Sequence, residues 1–76
     1  MVKSEQIQSV LFDRKKYDIE SSKRWLKING YKTNFKAPHI TTNFIRWRQE
    51  IPNYNMYHYI TKNLNNGIKL IIGFLN

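Results

Sequence analysis

The chain of 76 residues carries 13 Lys and Arg against five Asp and Glu, a formal net charge of +8, with 41% apolar and 14% aromatic residues and no cysteine. That length limits the fold to a single domain, residues 1–76, with a small core and no deep active site. The aromatic content excludes a disordered basic tail, and the lack of Cys excludes disulfides and thiolate metal sites and fits a reducing, intracellular setting.

The N-terminal MVKSEQIQSV has no apolar signal segment, and the longest apolar stretch, Ile68 to Leu75, is broken by Lys69 and Gly73 and is far below spanning length. Neither secretion nor a membrane partner is expected. After about five loose residues, Ile7, Ser9 and Leu11 alternate with Gln8, Val10 and Phe12, a short strand with two partly apolar faces. Asp18 is placed to cap a helix running to about Asn29, with Glu20 in its first turn and Gly30 suited to the left-handed position after its end. At 100° per residue, Ile19, Ser22, Trp25, Leu26 and Asn29 share one face, and Glu20, Lys23, Arg24 and Lys27 share the other.

Tyr31 to Thr41, with Pro38, reads as a loop. From Thr42 the period becomes two: Phe44, Arg46 and Arg48 point one way, and Asn43, Ile45, Trp47 and Gln49 the other. Burial of Ile45 and Trp47 sends both arginines outward. Pro52 ends that strand, and Met56–Lys62 and Ile68–Leu75 flank Asn66-Gly67, the preferred type I′ turn pair. The expected fold is α+β, in the order β-α-β-β-β, an antiparallel sheet with one helix packed on a face. As a terminal edge strand, Ile68–Leu75 is free to pair with a second copy and form a homodimer.

The acids are few and four of them precede Ser21, so no paired-carboxylate mechanism is evident. His39 and His58 lack Cys or acidic partners, and Gly30, Gly67 and Gly73 are too widely spaced for a phosphate loop. An enzyme, a cofactor and a metal site are therefore not expected. Binding is better marked. Between Ser21 and Gln49 stand seven cations, Lys23, Arg24, Lys27, Lys32, Lys36, Arg46 and Arg48, and no carboxylate, the footprint of a polyanion binder. Arg46 and Arg48 offer guanidinium forks for phosphate, and Phe44 a stacking surface. With Lys23, Arg24 and Lys27 beside that strand, about six phosphate contacts are expected. The bland reading of the helix lysines is a solvated face. Trp25 and Trp47 are read as core, each on the apolar side of its element. Tyr54, Tyr57 and Tyr59 suit protein recognition as well as base stacking, and equally sheet packing.

The segments FDRKKY (12–17), SKRWLKINGYK (22–32), TTNFIRWRQ (41–49) and TKNLNNGIKLIIGF (61–74) together resemble a small basic domain that recurs in nucleocytoplasmic large DNA viruses, with related segments in head-associated proteins of tailed phages. The resemblance covers nearly the whole chain. It implies a viral origin, a stand-alone domain, residence in the host cytoplasm or nucleus or in the virion, and genome or capsid association; it supplies no catalytic residue. The chain departs from the family's pattern at Ser21-Ser22, where alanine or lysine is usual, and at Tyr59-Ile60-Thr61, where an arginine commonly precedes the threonine. The function expected is non-enzymatic nucleic-acid binding, chiefly to phosphates, with duplex DNA slightly favoured over RNA. The alternative is a viral protein-interaction or virion structural module that meets an acidic protein.

Overall fold

In the computed structural model, which describes residues 4–76, the strand that opens the chain is the axis of the molecule. β1 (Glu5–Asp13) lies at the centre of a five-stranded antiparallel sheet, flanked by β3 (Phe44–Arg48) and β5 (Ile68–Leu75); β2 (His39–Ile40) and β4 (Tyr57–Asn63) form the edges. Among the described residues one α-helix, α1 (Ile19–Ile28), covers one face. The α+β class and the β-α-β-β-β order are those expected, with two-residue β2 added where the sequence reads as a loop. Such a strand is too short to show a period, and it forms by pairing His39 with Arg46 and Ile40 with Ile45.

A bulge explains why both faces of β1 read as partly apolar. Ile7 pairs with Ile72 and Ser9 with Ile71, so Gln8 is the extra residue. The shift turns Ile7 to the side of Val10 and Phe12 and re-aims Gln8 toward the opposite face. Val10, Phe12, Ile45, Trp47, Ile68, Leu70 and Ile72 then line one face and close on Leu26 of α1, all under 9% exposed. Each large side chain so buried contributes roughly 1.5–3 kcal/mol before the entropy of ordering is charged.

The helix is held at both ends by local hydrogen bonds. Asp18 accepts from the Ser21 amide at 2.8 Å while the Ser21 hydroxyl accepts from the Asp18 amide at 3.0 Å, a reciprocal capping box. At the other end Gly30 takes φ +80°, and the Tyr31 amide donates to Leu26 O at 2.9 Å, a Schellman closure. Ser22, fully buried, accepts from Trp47 Nε1 at 2.9 Å and so joins helix to sheet. Ser21 and Ser22 therefore both have structural work. Trp25 is half-buried against Phe12 and stacks on Tyr31 at 5.7 Å between ring centres.

The hairpin turns at Asn66 and Gly67, both at positive φ (68° and 79°) as the Asn-Gly pair requires. The expectation of a C-terminal edge strand is corrected. β5 runs between β1 and β4, and its pairing on both sides fills the hydrogen-bonding edges that a second copy would need. The long β4–β5 hairpin folds back so that β4, not the last strand, takes the edge.

Candidate nucleic-acid interface

Opposite the helix, the sheet presents a face that no second layer of secondary structure among the described residues covers. Alternation places Phe44, Arg46 and Arg48 of β3 there, beside Ser9 and Leu11 of β1, Lys69 and Ile71 of β5 and Tyr59 and Thr61 of β4. Asp13, paired with Phe44, is the carboxylate at one end of this face. Arg46 and Arg48 stand two residues apart on one strand, a spacing of about 6.8 Å.

The two guanidiniums are held differently. Arg46 Nε donates to Ser9 Oγ at 3.0 Å and one terminal nitrogen donates to Gln8 Oε1 at 2.8 Å. The Ser9 hydroxyl also donates to Gln8 Oε1, at 2.7 Å, and Gln8 Nε2 donates to Glu50 O at 3.0 Å. Gln8 and Ser9 are both buried, so the bulge builds a rigid polar seat that fixes one edge of Arg46. Of five N–H donors two are committed to this seat. Arg48 makes no side-chain hydrogen bond or ion pair among the described residues. Burial pushes the Arg46 pKa down, and the like charge of Arg48 pushes it further; negative charge on Tyr54 would act in the opposite direction. Two adjacent cations with no carboxylate between them are relieved by an anion.

Lys69 is a cation of this face that the sequence pattern does not single out. Its ammonium lies 4.8 Å from the Phe44 ring centre, a cation–π contact that covers one face of that ring. Lys69 thus shares the ring that the sequence pattern offers as a stacking surface. The alternation of Ile68, Leu70 and Ile72 could have marked Lys69 as outward, but only the register of β5 against β1 brings it beside β3. The tyrosines separate as well. Tyr57 is 7% exposed and belongs to the interior, so it is not an anchor for a partner, whereas Tyr54 is 75% exposed. Tyr54 and Tyr59 pack in a T-shaped contact at 5.3 Å between ring centres, and the Tyr59 hydroxyl accepts from the Asn53 amide at 2.7 Å, fixing the loop that carries Tyr54.

The remaining expected cations lie elsewhere. Lys23, Arg24 and Lys27, with Glu20, line a shallow depression on the outward side of α1. Because α1 packs on the Ile45 and Trp47 side, the core separates these three from Arg46 and Arg48, and the expected merged surface does not form. A strand alternates its side chains between faces, so a helix that covers Trp47 necessarily lies away from Arg48. The Lys32 ammonium donates to Gln49 O at 3.2 Å, stands 3.6 Å from the Glu50 carboxylate and lies over Phe35, which spends much of its charge locally. Lys36 is exposed on the loop between α1 and β2.

Among the described residues no cluster of three His, Asp or Glu side chains is placed to hold a metal ion, and no helix is long and apolar enough to cross a membrane. His39 is exposed across from Arg46, and His58 Nδ1 lies 3.2 Å from Asn76 Oδ1. Comparison with protein-family models, with curated proteins and with solved structures gives no match.

Proposed function

We propose that this protein is a non-enzymatic nucleic-acid-binding domain that grips the phosphate backbone through the open face of its sheet. The observation that carries the reading is the Arg46–Arg48 pair: one guanidinium seated by Gln8 and Ser9 with donors to spare, the other without a side-chain hydrogen bond or ion pair among the described residues, and no acid between them. Guanidinium forks match phosphate oxygens two at a time, and holding one in advance lowers the entropy lost on binding. Lys69 adds a third cation to the same face, while Lys23, Arg24 and Lys27 form a separate patch that supplies long-range attraction. The site is made of cations and aromatic rings, a composition for binding rather than for bond cleavage. In the viral setting that the resemblance implies, the ligand is a genome or its transcripts.

Anisotropy titration of labelled oligonucleotides at about 50 and about 200 mM salt tests this, because phosphate-driven affinity falls steeply across that range. Arg46→Ala with Arg48→Ala is expected to weaken binding and to reduce the log–log salt slope by about 1.4 on a single strand or about 1.8 on duplex DNA, since each phosphate that an arginine neutralises contributes roughly 0.7 or 0.9. Undiminished affinity in that double variant would remove the assignment. A second reading, recognition of an acidic protein, draws on the loop beside this face, where Ile51 is 69% exposed together with Tyr54 and Met56. Saturable binding of an acidic polypeptide, with no binding of nucleic acid, would favour it.

A further inference from the structure

Resting on that reading, we infer that the ligand of the open sheet face is single-stranded nucleic acid, with Tyr54 as a base-stacking platform and Arg46 and Arg48 on the adjoining phosphates. Three observations on geometry lead there. The first is width: five strands span about 19 Å, and the major groove of a duplex, about 12 Å wide, admits a helix or a two-stranded ribbon but not this face. The helix would fit a groove, yet its cations are on the far side of the core from the arginines. A duplex lying across the sheet would meet the arginines with its phosphates alone and leave the aromatic rings no base to touch.

The second is the state of Tyr54. A tyrosine ring 75% exposed contributes little to the core, and here it is braced rather than loose: it meets Tyr59 in a T-shaped contact, and Tyr59 in turn packs over Gly73 and accepts the Asn53 amide. A fixed, exposed ring face is what an unstacked base needs, and every base has a π-face to offer. The third is proximity. Tyr59, on which Tyr54 packs at 5.3 Å between ring centres, stands on the same sheet face as Arg46 and Arg48, so ring and guanidiniums can serve neighbouring parts of one strand. A free base beside its phosphate is common to single-stranded DNA and RNA, and the sheet offers no feature that selects between their sugars.

The test uses the full chain with labelled oligo-dT and oligo-rU of about 15 nucleotides and the matching duplex, by anisotropy at about 50 mM salt. The expected result is binding of a single strand at least about fivefold tighter than the duplex, with Tyr54→Ala weakening single-strand binding roughly 5- to 150-fold. Tyr54→Phe retains the ring and is expected to bind as the parent does, and Tyr54→Ala leaves the salt slope unchanged, whereas Arg48→Ala reduces it. A preference for either oligo-dT or oligo-rU satisfies the inference. Equal or tighter binding of the duplex overturns it and leaves phosphate binding standing, as does Tyr54→Ala that binds single strands like the parent. Absence of salt-sensitive binding to every probe removes both.

Discussion

Arg46 donates to Gln8 Oε1 at 2.8 Å across 38 positions of sequence, and Gln8 is in reach only because it is the extra residue of the β1 bulge. Without the bulge, Gln8 would share the Val10 and Phe12 face and lie under the helix. The irregularity thus converts a residue with core parity into the seat of a surface cation.

Gln8→Ala should therefore act on stability and binding together. It leaves the buried Ser9 hydroxyl without its acceptor and frees Arg46, so urea denaturation is expected to show a loss of about 1–3 kcal/mol. Affinity for oligonucleotides should fall less than in Arg46→Ala, because the charge is kept and only its placement is lost. Full stability in Gln8→Ala would show that the seat does not hold the arginine.

Ser22→Ala removes the acceptor of Trp47 Nε1 inside the core, at a residue with no exposed surface. The indole N–H then has no partner, a cost of about 1–3 kcal/mol. In a Trp47→Phe background the same substitution should cost clearly less, and equal costs in the two backgrounds would show that the bond is not coupled.

Gly73 is close-packed rather than conformationally special. A Cβ there would stand 2.6 Å from Tyr59 Cε1 and 3.0 Å from Cδ1, so the ring must shift. Gly73→Ala is expected to destabilise by about 1–3 kcal/mol. Displacing the ring also breaks the bond from the Asn53 amide to the Tyr59 hydroxyl, so hydrogen exchange at Asn53 should accelerate well beyond the change at the β1–β3 amides. Unchanged exchange at Asn53 would separate the loop from Tyr59.

Much of this arrangement is legible in the sequence where the signal is local. Asp18 and Gly30 bound the helix, Asn66-Gly67 turns the hairpin, and the alternation from Phe44 to Arg48 assigns the outward arginines, because each depends on neighbours within a few positions. Strand order is a different matter. That β5 lies inside the sheet, that Lys69 reaches Phe44 and that Gln8 reaches Arg46 depend on pairings between distant segments, and a bulge breaks the very period by which faces are read. The helical period puts Lys23, Arg24 and Lys27 on the outward side of the helix, but pattern alone does not say which sheet face the helix covers relative to the arginines. Trp47 decides that, since its indole meets Ser22.

The N-cap gives the fold a defined response to acid. The Ser21 backbone amide, and after it the Ser21 hydroxyl, hold the Asp18 carboxyl below its ordinary value of 3.8, with Arg24 a smaller contributor. A carboxyl whose pKa is depressed on folding contributes stability that is complete above its unfolded value and is lost as pH falls through the folded one. The contribution should thus begin to fade near the ordinary carboxylate range and continue to fade below it. Asp18→Asn keeps an oxygen to accept the Ser21 amide but does not titrate, so the stability difference between the parent and Asp18→Asn should be largest near neutral pH and shrink below pH about 4. Urea unfolding followed by helical circular dichroism across pH 2 to 7 measures it, and parallel curves for the two proteins would show that the charge on Asp18 adds nothing to the cap.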